Sequence, residues 1–161
     1  MFGSGEGEEK GVIPRSCTHI FEHIESEPET TFSVKCNFVE IYKEKIRDLL
    51  NPAHKNLRIR QSVERGVYVQ GVMEEYCSSQ EEVLATISLG ELSRTTAKTK
   101  MNEKSSRSHS VFTIHIEQES SGGITKMAKL VFIDLAGSEK IKKTGAEGKT
   151  LDEAKKINMS L

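Results

Sequence analysis

The sequence predicts an α/β fold. Stretches of period-two alternation and of helical spacing follow one another along the chain, one short run is apolar without interruption, and two Ser/Thr-x-x-Glu boxes mark helix starts. The 161 residues suit one domain. Such a chain buries roughly two-thirds of the surface it exposes when unfolded.

Taken in order, the Gly/Glu-rich opening reads as an exposed loop punctuated by Gly11 and Pro14. Ile13, Cys17, Ile20, Phe21 and Ile24 then recur at helical spacing, which predicts a helix over about residues 14–26, stopped by Pro28. Phe32, Val34, Cys36 and Phe38 alternate with polar residues, the period of a strand covered on one face. Residues 41–50 are expected to continue as a strand end and a short helical turn, broken at Asn51-Pro52. Short strands at 57–60 and 67–72 flank a turn at Glu64-Arg65-Gly66.

Ser79-Gln80-Glu81-Glu82 is a capping box, in which Ser79 and Glu82 each satisfy a free backbone N–H. The helix it opens turns Val83, Leu84 and Ile87 inward, with Leu92 a further candidate. Phe112, Ile114 and Ile116 alternate as a strand, Ser121-Gly122-Gly123 suits a reversal, and Leu130-Val131-Phe132-Ile133 reads as a central strand covered on both faces. The last two strands should pair as an antiparallel hairpin. A second box, Thr150-Leu151-Asp152-Glu153, opens a final helix with Leu151, Ala154, Ile157 and Leu161 inward.

Composition narrows the function classes. Lys+Arg number 23 against 24 Asp+Glu, a net charge of −1, so no global field draws the chain to nucleic acid or to a membrane surface. No run of 18 apolar residues is present, and no membrane insertion is expected. Cys17, Cys36 and Cys77 are odd in number and never at C-x-x-C spacing, which points to three reduced, buried thiols in a cytosolic protein. His109 and His115 share a strand face but stand roughly 20 Å apart at ~3.3 Å per residue, too far to share a metal. His19, His23 and His54 show no ligand spacing.

Two segments carry candidate chemistry. Asp134-Leu135-Ala136-Gly137 follows the apolar strand. A carboxylate there can hold Mg²⁺ through water, and a glycine three residues on lets its N–H approach a terminal phosphate. Taken alone, Asp134 as a turn cap with Gly137 permitting the turn explains the same residues. Asn102-Glu103-Lys104-Ser105-Ser106-Arg107-Ser108-His109 precedes a strand and sets three hydroxyls around an arginine, a phosphate- or Mg²⁺-binding chemistry. In isolation a polar surface loop with a helix stop is the better explanation of it.

Together the two segments resemble the paired nucleotide-sensing switch loops of the kinesin motor domain. Phe38-Val39-Glu40-Ile41-Tyr42, Ile46-Arg47-Asp48-Leu49-Leu50, Thr144-Gly145-Ala146-Glu147-Gly148 and Leu151-Asp152-Glu153-Ala154-Lys155-Lys156-Ile157-Asn158 extend the resemblance over residues 11–161. It looks closest to the conventional kinesin heavy chain. The resemblance implies a kinesin-type P-loop NTPase fold, a central mixed β-sheet flanked by helices, with residues 1–161 forming part of one motor domain. ATP and Mg²⁺ are the implied cofactors and the microtubule (tubulin) the implied partner, in the cytoplasm on the microtubule cytoskeleton; any dimer would form through regions outside this chain.

Residue by residue, the resemblance places Asn102, Ser105 and Ser106 on the nucleotide, with Ser105 and Ser106 toward the γ-phosphate, Mg²⁺ or the attacking water. It gives Asp134 the metal through water and the Gly137 N–H the γ-phosphate. Arg107 and Glu139 become a salt bridge latching the two loops when ATP is bound. It also assigns Lys140, Lys142, Lys143, Lys149, Lys155 and Lys156 to the tubulin-facing loop and helix, and Arg60 and Arg65 to a second tubulin-contacting loop. From charge alone such runs are equally well solvated faces. Few aromatics accompany them, so nucleic acid is a poor partner.

One part of the resemblance is missing. A phosphate-cradling G-x-x-x-x-G-K-[ST] is expected upstream of Met1, together with the family's first strands. Gly148-Lys149-Thr150 imitates its end, but Lys143 stands where the first glycine belongs. The 161 residues alone are therefore expected to bind nucleotide weakly or not at all. Loss of those strands is expected to expose residues 130–133 and leave the isolated chain marginal or aggregation-prone.

Overall fold

The computed structural model describes residues 10–101 and 108–136. The second capping box and its helix lie outside the described residues. Helix α1 spans Val12–Ser26 and is followed by β1 (Thr31–Tyr42), β2 (Lys45–Asp48), β3 (Lys55–Ser62), β4 (Gly66–Gln70) and β5 (Glu75–Tyr76). Helix α2 (Gln80–Met101), β6 (His109–Glu119) and β7 (Thr125–Asp134) complete the order. The described strands join as β4-β3-β2-β1-β6-β7, and β5 pairs with β1. Every pairing whose register is described is antiparallel.

The described residues divide into two compact units, 10–37, 74–88 and 112–132 forming one and the remaining described residues the other. In the first, Ile13 and Cys17 of α1, Val34 and Cys36 of β1, Cys77, Val83 and Ile87, and Phe112, Ile114 and Phe132 are buried. Phe112 and Phe132 stack with ring centroids 6.4 Å apart. The Thr18 hydroxyl donates to Gln80 Oε1 at 3.1 Å, tying α1 to the start of α2. That start is capped as expected at Ser79, whose Oγ accepts from Glu82 N. Glu82 reaches one residue further back than the box predicts, accepting from both the amide and the hydroxyl of Ser78.

All three cysteines are free and buried. Burial pushes the Cys17 thiol up to about 11, with Cys77 adding to the effect. Burial also raises Cys36 and Cys77. Unfolded thiols ionise near ~8.5, so the native chain holds these protons longer than the unfolded chain does. The stability associated with the protonated thiols is complete below that value and is lost as pH rises through the folded values. Urea unfolding should therefore show a lower midpoint at about pH 10 than at about pH 7, a difference that Cys17→Ala reduces. An aromatic disulfide reagent should label the native thiols far more slowly than the urea-unfolded ones.

The second unit is built on a hairpin. β1 turns into β2 through Lys43 and Glu44, with Tyr42↔Lys45, Ile41↔Ile46, Glu40↔Arg47 and Val39↔Asp48 as register partners. This corrects the short helical turn expected within residues 41–50. Ile46, Leu49 and Leu50 imitate helical spacing, and the reversal itself lacks a Gly or Asn signal. Lys43 and Glu44 nevertheless adopt φ of 50° and 61°, the left-handed pair that a two-residue turn between twisted strands requires. Beyond β2, the register slips where Ile46 faces Leu57 and Arg47 faces Lys55. The residue between, Asn56, has φ 56°, a conformation asparagine tolerates better than most residues. β3 and β4 form the expected ribbon, with Arg60 opposite Tyr68 and Ser62 opposite Gly66.

Three further expectations are corrected. β1 is covered on both faces from Cys36 to Glu40 rather than on one. Leu92 is exposed, because the inward stripe of α2 runs through Val83, Thr86, Ile87, Gly90 and Arg94. Of residues 130–133 Phe132 alone is buried, since β7 ends the described strand order instead of occupying its centre. The exposure of Leu130, Val131 and Ile133 agrees with the second expectation for this run, apolar surface without a covering strand.

Candidate functional site

The stems of the two candidate segments meet in the second unit. The Ala136 amide donates to His109 Nδ1 at 3.0 Å, joining the residues just after β7 to the first residue of β6. Arg94 makes the second connection. Its Nη2 donates to the Ser108 carbonyl at 3.0 Å, and its Nη1 to Asp134 Oδ2 at 3.3 Å. Its side chain is 5% exposed, whereas that of Asp134 is 53% exposed.

Helix geometry puts Arg94 there. Gly90, one turn earlier on the same stripe, lies so close to β1 that a Cβ would stand 2.2 Å from Phe38 Cδ1. That close approach brings the last turns of α2 onto β1, where Arg94 Nε lies 3.4 Å from Glu40 Oε1. Glu40 also pairs with Arg47 across the hairpin and accepts from the Ser108 hydroxyl at 2.7 Å. Glu91 stands 3.6 Å from Arg94 on the solvent side. Buried charges persist only when paired, and here each guanidinium has a carboxylate.

Among the residues expected to carry function, Asp134, Arg60 and Arg65 fall within the described part. Asp134 ends β7, and a half-exposed carboxylate offers the hard oxygen donors that Mg²⁺ takes, so the residue present fits the metal. Arg60 and Arg65 are exposed on the β3–β4 ribbon, Arg60 Nε donating to Gln70 and the Arg65 guanidinium lying 5.6 Å from the Tyr68 ring centre. Asn102, Ser105, Ser106, Arg107, Gly137, Glu139, Lys140, Lys142, Lys143, Lys149, Lys155 and Lys156 lie outside the described residues. Sequence reasoning missed the Glu40–Arg47–Arg94–Ser108 network. Its available signals were a glutamate inside an apolar strand and an arginine continuing an apolar helix stripe.

A family model described as the kinesin motor domain matches residues 1–161. The chain belongs to the kinesin family. Kinesin-related protein 5 of Dictyostelium discoideum is 54% identical to it, over 96% of this chain and 16% of the relative. The kinesin heavy chain of Syncephalastrum racemosum is 48% identical, over 100% of this chain and 18% of the relative. A solved fast kinesin superposes with a TM-score of 0.87 at 46% identity, covering 98% of this chain and 46% of the other. A KIF14 dimer, solved with AMP-PNP in complex with a microtubule, gives a TM-score of 0.77 at 35% identity, covering 97% of this chain and 47% of that one. The chain thus spans less than a fifth of these curated kinesins and just under half of the solved motors. The kinesin fold expected from the sequence is borne out.

Proposed function

We propose that the chain supplies the nucleotide-sensing and track-contacting part of an ATP-driven microtubule motor, in which Mg·ATP hydrolysis is coupled to microtubule affinity. The observation that carries this reading is the meeting of the stems: Ser108 and His109 at the end of the first segment lie bonded, through Arg94 and directly, to Asp134 and Ala136 of the second. Bound Mg²⁺ would neutralise charge on the terminal phosphates. The chain's own share is to orient and to sense. Ser105 and Ser106 present hydroxyls to the γ-phosphate and the metal. Asp134 holds the metal through water, and the Gly137 N–H bonds the γ-phosphate. Arg107 and Glu139 latch the two loops in the ATP state alone, which gives an otherwise weak exposed pair its value. Lys140, Lys142, Lys143, Lys149, Lys155 and Lys156, with Arg60 and Arg65, face the acidic surface of tubulin.

A second reading, a microtubule-binding fragment without catalysis, is favoured by one feature of the 161 residues. Their one G-K-T run has Lys143 in place of the first glycine of a phosphate cradle. Two measurements on the chain separate the readings. Co-sedimentation with microtubules should be strong at low salt and fall steeply as salt screens the contacts, with Lys142→Glu plus Lys143→Glu abolishing it. Absence of co-sedimentation at low salt overturns both readings. A fluorescent ATP analogue should bind the chain weakly with Mg²⁺; micromolar affinity would make this chain a complete nucleotide site and remove the second reading.

A further inference from the structure

Three elements converge on one buried carboxylate. Glu40 lies in an otherwise apolar part of β1, with its side chain 7% exposed. Arg47 pairs with its Oε2 from β2, the Ser108 hydroxyl donates to its Oε1 from the residue before β6, and Arg94 Nε approaches the same oxygen from α2. The Nε atoms of Arg47 and Arg94 are buried and make no hydrogen bond among the described residues. A cluster built for stability alone gains little from this chemistry, because apolar side chains of the same volume serve a buried hairpin as well or better. What the carboxylate achieves is geometric. It holds Ser108 directly, and through Arg94 it holds Asp134, so one side chain reaches the stem of each candidate segment.

We propose that Glu40 is a positioning residue of the nucleotide pocket, fixing the stem of the first loop against the stem of the second so that a movement of either is transmitted to the other. This rests on the reading above that both loops serve one nucleotide. The carboxylate accepts from Arg47 on one oxygen and from the Ser108 hydroxyl on the other, with Arg94 Nε 3.4 Å from the second. One anion thus stands between two guanidiniums, as a neutral side chain of its size cannot. Glu40→Gln keeps the volume and one acceptor oxygen. It removes the charge that draws Arg47 and Arg94 together, leaving Arg94 to Glu91 and Asp134. Both stems should then loosen, although Glu40 touches only the first and reaches the second through Arg94.

Amide hydrogen exchange on the whole chain without nucleotide tests the coupling. Glu40→Gln should speed exchange at 108–110 and at Ala136 together, by about tenfold over an Ile46→Val control brought to equal global stability with urea. Glu40→Asp, which keeps the charge, should recover part of that protection. Should Glu40→Gln fail to fold, Ser108→Ala removes only the hydroxyl donor and should loosen the same two stems while leaving the amides of β2 unchanged. Exchange no faster than in the control, or confined to one stem, overturns the proposal. Adding Mg·ATP to the wild-type chain reads the nucleotide question separately. Protection at both stems that Glu40→Gln abolishes supports the transmitting role, and protection that survives the substitution overturns it. A wild-type chain with no response to Mg·ATP, whose stems still loosen together in Glu40→Gln, matches the weak nucleotide binding expected of these residues alone and leaves the coupling of the stems supported. The nucleotide reading then fails if the same Glu40→Gln leaves ATP turnover unchanged in a longer chain that carries the phosphate cradle.

Discussion

Asp48→Ala is expected to lower the stability of the chain by about 3–5 kcal/mol, the largest single effect foreseen here, because it orphans three backbone donors in one step. The Asp48 side chain is fully buried. Its Oδ1 accepts from Leu50 N at 2.9 Å and Asn51 N at 3.1 Å, and its Oδ2 from Met73 N at 2.7 Å. Asparagine is no substitute. With its oxygen toward Leu50 and Asn51, its NH₂ opposes the Met73 N–H, donor against donor, so Asp48→Asn should cost about 2–3 kcal/mol. Urea unfolding followed by circular dichroism checks both. An alanine variant within about 1 kcal/mol of wild type would show that water replaces the lost acceptor.

Gly90→Ala is expected to destabilise by about 1–3 kcal/mol even though alanine is the better helix former. Two effects oppose one another. Replacing glycine inside a helix gains roughly 1 kcal/mol of propensity. Against it, the new Cβ would lie 2.2 Å from Phe38 Cδ1, 2.8 Å from Cε1 and 3.2 Å from Cγ. Phe38 is 1% exposed and cannot swing into solvent. The helix must therefore move off β1, which draws Arg94 from Glu40 and Ser108. The clash wins, and the same unfolding measurement should show it. Phe38→Leu added to Gly90→Ala should recover part of the loss by vacating the ring positions, a coupling that independent sites do not show.

Much of the fold was legible in residue spacing. The Ile13/Cys17 stripe, the Phe112/Ile114 alternation, the Ser79 cap and the turn at Gly66 each express a local rule, and each appears in the structure where the rule puts it. The β1–β2 hairpin was not legible, because Lys43 and Glu44 take left-handed conformations that neither residue type advertises. The place of β7 at the end of the described strand order was not legible from its apolar run, which says how a strand prefers to be covered; its exposure followed only from the strands that the resemblance leaves out. The site divides the same way. Asp134 could be found from its place after an apolar strand and its glycine partner. Arg94 offered only a weak signal, its place on the apolar stripe, against the rule that a lysine- and arginine-rich helix end faces water; the contact of Gly90 with Phe38 is what seats this arginine inward. Glu40 was visible as a motif letter, while its three partners come from segments 7, 54 and 68 residues away in sequence.

The three bonds to Asp48 have a mechanical meaning for the exposed ribbon. Leu50 and Asn51 begin the excursion that carries Arg60 and Arg65 outward, and Met73 ends it, so the chain leaves and returns at one carboxylate. The 49–73 lobe is buckled at its root. A load applied at the Arg65 tip would arrive as tension shared among those three amides and the neighbouring Leu49 to Phe38 bond, instead of peeling β3 from β2 one rung at a time. A lever hinged so tightly passes force into the body of the protein with little slack.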